Sequence, residues 1–383
     1  MLRDNRTQRA WIAELTINRW ILVLCCVALF AHTSQAGESL VYSISTGEMK
    51  QSQVLSKTEI FIVDPETGKQ RLVFSDAGTG LLLLPGSDAQ SDIVAAGGRI
   101  FSRGMERKLY SEDRPDYPAA LYELSTDGSG KARKIFGFET EEGKRGTFRH
   151  LIISPTGAKI GYIKVSNGRP YLFVHETAAG KLLWKVDLAY IVFDSIVSTI
   201  GWMPDGERLF FTLGPGDEDD NWKLPESQMG SYVVKDNGSG PVRVAPEAAM
   251  HPSRPGLEAD ANTAAVVLGA LPDGRYLVRD SQVGPASAHP GTYFYILDVA
   301  AKTQKTLRMD VQGELDPFRL SRSGRELALV AKQRQYETPG VFTDTKAVWV
   351  VDVESDRERK LLSFPIKQNG PPWIHLVGWL GDH

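Results

Sequence analysis

Several groups of residues carry chemistry by type and spacing. Asp217, Asp219 and Asn221 stand at alternate positions, as in the first half of a calcium loop, where side-chain oxygens at every second residue surround a hard cation. The pattern breaks at Trp222, where the sharp turn needs glycine, and at Gln228, where a bidentate glutamate belongs. His150, His175, His251, His289, His375 and His383 show neither an i, i+4 spacing nor a cysteine partner, so no metal site and no cofactor is expected. Acyl-transfer chemistry would be announced by a Gly-x-Ser-x-Gly elbow, which is not found. Gly128-Ser129-Gly130 and Gly238-Ser239-Gly240 read as turns, because no helix follows to hold a phosphate at its amino terminus. Charge is more informative: Arg103, Arg107, Lys108, Tyr110, Arg114 and Tyr117 form a basic stretch, and Asp217, Glu218, Asp219, Asp220 and Trp222 an acidic one.

Residues so far apart act together only if the fold brings them together, and the elements that would do so repeat. Short apolar strands such as Ile60-Phe61-Ile62-Val63-Asp64, Tyr171-Leu172-Phe173-Val174-His175 and Val348-Trp349-Val350-Val351-Asp352 recur six times. Four of the six are preceded by another strand and a tight turn: Ser154-Pro155-Thr156-Gly157, Met203-Pro204-Asp205-Gly206, Leu271-Pro272-Asp273-Gly274 and Ser321-Arg322-Ser323-Gly324. Proline presets φ for such a turn and glycine takes its positive-φ position. Repeats of about 50 residues with four strands each are the signature of a β-propeller.

The expected fold is therefore all-β: a six-bladed propeller of four-stranded antiparallel blades, occupying residues 37–383 as one domain. Each blade would run from strand a at the axis to strand d at the rim. Blade two is the least regular, read as Leu81–Leu84, a turn over residues 85–92, and Ile93–Ala96 as strand b. His375-Leu376-Val377-Gly378-Trp379-Leu380 matches the strand a that reads Ile200-Gly201-Trp202-Met203, whereas Leu40-Val41-Tyr42-Ser43-Ile44 reads as a strand b without its strand a. The carboxyl-terminal strand is thus expected to complete the amino-terminal blade and close the ring, which removes two open sheet edges. Gly201, Gly269 and Gly378 sit in strands a, where backbones crowd towards the axis.

The Ser/Met-Pro-x-Gly turn followed by an apolar strand, with Val-Asp-x-x-x-Gly-Lys turns further on, resembles the repeats of TolB-like propellers over residues 39–383. Similar repeats form the non-catalytic propeller of prolyl oligopeptidase-type enzymes; no hydrolase domain is expected here. The pattern departs at Pro85-Gly86-Ser87-Asp88 and at Arg322, where proline is usual. The resemblance implies a propeller, and a periplasmic protein that partners other envelope proteins. A propeller fold by itself implies no chemistry.

On that scaffold the b–c connections look long (residues 45–59, 102–119, 213–230, 279–291 and 332–346), and insertions on one face of a repeat array mark a binding face. The candidate binding residues there are Arg103, Arg107, Arg114, Tyr117, Asp217, Asp219, Trp222, Arg279, His289 and Tyr336, with Tyr117, Trp222, Tyr336 and Phe342 as apolar tips. His150 and His375, beside Arg149 and Arg319, fall at the axial mouth and would suit a small anion. The leading expectation is a scaffold that engages an envelope or extracellular protein. An enzyme working on a carbohydrate or peptide in the axial funnel, through His150, His289, Arg279 and the acidic loop, is the alternative from another class, and a metal- or ligand-binding sensor is a third.

Composition narrows the setting. With 24% charged residues and a net charge of −3, nothing marks a nucleic-acid or anionic-membrane surface. Arg3, Arg6, Arg9 and Arg19 precede the apolar run Trp20 to Ala31, and Ser34-Gln35-Ala36 offers small residues for cleavage, the pattern of a secretory signal peptide. The run is shorter than the roughly 20 residues of a membrane span, so cleavage after Ala36 is expected over a retained anchor. The only cysteines, Cys25 and Cys26, lie in that run, leaving an exported chain nothing to oxidise.

Overall fold

The computed structural model describes residues 38–50, 53–83, 86–87, 90–109, 119–138, 148–166, 169–187, 197–213, 230–235, 242–246, 263–282, 292–309, 314–338, 341–365 and 373–381. The first strands are β1 (Ser39–Lys50), β2 (Gln53–Val63), β3 (Gln70–Ser75), the short β4 (Leu81–Leu83), β5 (Gly86–Ser87) and β6 (Gln90–Ser91), then β7 (Ile93–Ala96), β8 (Arg99–Glu106), β9 (Ala120–Leu124) and β10 (Ala132–Gly137). Four antiparallel sheets follow, each laid down in chain order. The first holds β11 (Phe148–Ile153), β12 (Lys159–Ser166), β13 (Arg169–Glu176) and β14 (Leu182–Asp187). The second holds β15 (Val197–Trp202), β16 (Arg208–Leu213), β17 (Gly230–Lys235) and β18 (Val242–Pro246). The third holds β19 (Thr263–Ala270), β20 (Tyr276–Gln282), β21 (Thr292–Asp298) and β22 (Thr303–Thr306). The fourth holds β23 (Glu314–Leu320), β24 (Glu326–Thr338), β25 (Val341–Asp352) and β26 (Glu358–Pro365). The last strand is β27 (Trp373–Leu380).

β27 pairs antiparallel with β1, so the two ends of the described chain meet in one sheet, in the order β10-β9-β8-β7-β27-β1-β2-β3. Its two halves are joined by a single parallel pairing, Gly378 beside Ala95. The inner strands β7, β11, β15, β19, β23 and β27 touch one another in that order, and β27 touches β7. The arrangement is propeller-like and all-β, with one 3₁₀ turn at Arg107–Leu109 among the described residues.

One core cluster, with Val41, Ile60, Ile93 and Ile100, joins the two halves of the large sheet, and the others lie between sheets. Ile163, Leu172 and Val174 pack on Trp202, Leu209 and Phe211 of the next sheet. Phe210 and Val233 pack on Val267, Tyr276 and Tyr295, and Leu277 and Phe294 on Phe318, Leu327 and Leu329. Across the chain ends, Leu40, Tyr42, Ile374 and Leu376 pack on Val330, Val348 and Val350. Burial at about 25 cal/mol per Å2 makes these interfaces the main source of stability.

The turns behave as their sequences demand. Gly157, Gly206, Gly274 and Gly324 all have φ between 68° and 90°, and each donates its N–H to the residue three before it at 2.8–3.0 Å. The Asp64, Asp298 and Asp352 carboxylates accept backbone N–H groups two or three residues on, at 2.8 Å in the shortest case of each, which fixes the c–d turns. Arg322, where proline was expected, has an N–H to give. It and the Ser323 N–H donate to the two oxygens of Glu38, both at 2.9 Å, clasping the start of β1 to the neighbouring sheet.

Blade two differs from the sequence reading. Ile93–Ala96 is the inner strand, and the turn after it is the two-residue Gly97-Gly98, both at positive φ, with Ala96 opposite Arg99. Gly-Gly suits the mirror-image turn of a tight hairpin, so no proline marks it. Residues 45–59 and 332–346 are not loops either. They are the far ends of two hairpins, β1–β2 paired out to Lys50 opposite Gln53, and β24–β25 out to Thr338 opposite Val341. β8 likewise runs on to Glu106.

Candidate functional site

The inner strands enclose a cavity of about 360 Å3. They converge because strands a carry small residues at the crowded points. A Cβ on Gly201 would come within 2.7 Å of the Phe210 ring, one on Gly269 within 2.8 Å of Leu320, and one on Gly378 within 2.5 Å of the Ala95 carbonyl oxygen. About half of the wall is apolar, with Ile152, Ile200, Trp202, Leu268, Phe318 and Leu320 among its residues.

The polar groups reach the cavity from separate elements. His150 comes from β11 at a bulge, where the pairing register slips between Arg149 and Ile152, and it adopts φ +54°. Bulges re-aim a side chain that regular pleating would point elsewhere. Arg279 starts on the second strand of its sheet, opposite Val266 and Phe294, and its guanidinium lies 5.1 Å from the ring centre of Phe318 on the next sheet. Arg319 sits at the end of β23, its guanidinium donating to the Phe318 carbonyl oxygen at 2.8 Å, while its own carbonyl accepts the Trp379 indole N–H at 3.1 Å. Arg322 follows in the a–b turn. Among the described lining residues the charged side chains are all arginines.

Of the residues singled out from sequence, His150, Arg279 and Arg319 thus meet in the cavity. Arg103 and Arg107 do not. Arg103 lies within β8 and pairs at 2.6 Å with Asp92, whose carboxyl is pushed up to about 6 by burial against the opposing pull of Arg103. Arg107 lies 3.6 Å from the fully buried Asp76, which accepts the Thr58 N–H at 3.0 Å and whose carboxyl burial likewise raises. Both arginines therefore neutralise buried aspartates beneath their own sheet. Tyr336 sits in the far part of the β24–β25 hairpin, opposite Phe342. Arg114, Tyr117, Asp217, Asp219, Trp222 and His289 lie outside the described residues, as does the segment read as a signal peptide. His375 is buried beside Ser43 and does not line the cavity. No group of three or more metal-ligating side chains is found among the described residues.

Arg322 is the charged lining residue that the sequence does not mark as a site member; its place inside the fourth a–b turn, three residues after Arg319, is the available signal.

No family model and no curated protein matches the chain. Several solved structures show a likeness to it. TolB from Acinetobacter baumannii matches at 12% identity and a TM-score of 0.46, over 89% of this chain and 66% of that one. A periplasmic gluconolactonase from Pseudomonas aeruginosa matches at 15% and 0.44, over 88% and 85% respectively. Puromycin hydrolase matches at 15% and 0.44, over 87% of this chain but 46% of its own. This chain thus spans just under two thirds of that TolB and less than half of puromycin hydrolase. No helix among the described residues is long and apolar enough to cross a membrane.

Proposed function

We propose that this chain is an exported, TolB-like six-bladed propeller that serves as a protein-interaction scaffold, with an envelope or extracellular protein as its partner. The blade count follows from dividing the large sheet at its single parallel pairing, which leaves β27-β1-β2-β3 and β7-β8-β9-β10 as two four-stranded blades beside the other four. The succession of inner-strand contacts and the hydrophobic clusters between successive sheets support the same division. Export rests on the basic, apolar and small-residue pattern up to Ala36.

One observation carries the scaffold reading. The β1–β2 and β24–β25 hairpins belong to sheets that pack on one another, and both extend the b–c turns well beyond their neighbours: β24 has 13 residues and β25 12, against 8 each for β12 and β13. Two adjacent hairpins present a preformed surface at little entropic cost, which is how a rigid scaffold binds. The test is capture from an envelope extract with the full chain and with variants in which residues 46–57 or 334–343 are replaced by two-residue turns. The captured protein, once purified, should bind the full chain and lose at least tenfold in affinity with either trimmed hairpin. Equal affinity for all three would overturn the reading.

A further inference from the structure

The cavity lies between the inner strands, away from the hairpin tips, and its chemistry is of a different kind. We propose that it is a binding site for a small organic carboxylate. Arg279, Arg319 and Arg322 reach it from two adjacent sheets, and His150 reaches it from a third. Guanidinium groups present planar forks of donors that match a carboxylate in pairs, and they stay charged at any physiological pH. Trp202, Phe318 and Leu268 supply apolar wall, so the ligand has a hydrocarbon or ring body as well as its acid group. The volume of about 360 Å3 sits at the small end of the range, roughly 300–1,000 Å3, that such ligands occupy.

His150 gives independent support. The described non-glycine residues at positive φ are His150, Lys302 and Asp356. The latter two lie in c–d turns, where left-handed residues are routine, but His150 stands in an inner strand. Such a conformation is unfavourable for a residue with a Cβ, and strain of this kind gathers where a side chain must be aimed at a ligand. Here it accompanies the bulge of β11 and delivers the imidazole to the cavity.

The test is calorimetric titration of the purified full chain with benzoate, its neutral isostere benzamide and inorganic phosphate. Benzoate should bind at least tenfold more tightly than either of the others. Arg319→Gln and Arg279→Gln should each weaken benzoate by tenfold or more. His150→Asn, which tolerates the left-handed backbone, should weaken it severalfold with an unliganded melting temperature close to the parent. Arg133→Gln makes the same change of charge at the exposed rim and should leave binding unaltered. Benzamide binding as well as benzoate, phosphate binding as tightly, an equal loss in Arg133→Gln, or no heat from any probe at millimolar concentration would each overturn the assignment. None of these results bears on the hairpin surface, so the two readings fail separately.

Discussion

Substituting Gly378 by alanine tests ring closure at its narrowest point. Gly378 has φ +157° and faces Ala95 across the one parallel pairing between β27 and β7. An added Cβ would stand 2.5 Å from the Ala95 carbonyl oxygen and 3.2 Å from its nitrogen. Both obstacles are backbone. Ala95 is itself paired with Ile100 on its other side, and β27 is paired with β1, so neither strand is free to withdraw. Overpacking of this kind costs about 1–3 kcal/mol. Losing the pairing costs about 1 kcal/mol more, and the unfavourable φ roughly another 1–2 kcal/mol. The expected destabilisation is therefore about 3–6 kcal/mol, a large part of the roughly 5–15 kcal/mol that holds most domains folded.

Urea unfolding followed by tryptophan fluorescence measures it, with two internal controls. Gly130→Ala introduces a Cβ at φ +66° with nothing within 4 Å, so it carries the backbone penalty alone, about 1–2 kcal/mol. Gly201→Ala meets the end of the Phe210 ring, a side chain able to turn, and should fall between the two. With an m-value of roughly 3 kcal/mol per molar urea, the Gly378→Ala midpoint should drop by about 1–2 M. A Gly378→Ala protein no less stable than Gly130→Ala would refute the claim that the ring closes through this contact.

Other expectations follow from single groups. Asp92 carries a raised carboxyl in the folded state, near 6, so between about pH 4 and 6 the native protein holds a proton that the unfolded chain has released. Its contribution thus falls as pH rises through that window, and Asp92→Asn should flatten this part of a plot of unfolding free energy against pH; an unchanged slope would show that Asp92 titrates normally. Glu38→Ala should cost about 1–2 kcal/mol, since it orphans the Arg322 and Ser323 N–H groups at a partly exposed site, and Glu38→Asp should recover little because its shorter arm cannot span both. Arg99 joins Glu123 at 2.7 Å to Thr177 and the Gly157 carbonyl of the next sheet, so Arg99→Ala should lower unfolding free energy by about 2–3 kcal/mol, read by the same urea titration.

What could be read from the sequence was what local chemistry writes there. Pro155, Gly157 and the capping Asp64 and Asp352 act within a few residues of themselves, so the turns, and from them the repeat, were visible. Blade two was misread because Gly97-Gly98 makes its turn without proline, while Leu81-Leu82-Leu83 imitates an inner strand and in fact pairs with the far end of β8. The two hairpins read as loops in the sequence because segments such as Thr46-Gly47-Glu48 lack the apolar alternation that betrays a strand; backbone pairing extends them regardless of side chains. The cavity was legible in part: His150 and Arg319, 169 residues apart, could be set at one mouth because both lie on strands a, but Arg322 in the turn and the reach of Arg279 from a second strand depend on how the sheets pack.

The departure at Arg322 links these themes. A proline there would have kept the turn but removed the N–H that Glu38 accepts, and with it the clasp that ties β1 to the sheet of β23. On the same turn, Arg319 offers its carbonyl to the Trp379 indole of the closing strand and lines the cavity. One short stretch of chain, residues 319–323, thus contributes both to the closing contacts and, with Arg279, to the cationic wall. Whatever fixes that stretch preorganises the cavity, and whatever fills the cavity holds the stretch in place. A carboxylate bound between Arg279 and Arg319 would bridge the third and fourth sheets and steady the stretch whose Arg319 carbonyl holds Trp379 of β27. Ligand binding and ring stability are then a single linked equilibrium, in which stabilisation follows ligand concentration as RT ln(1 + [L]/Kd).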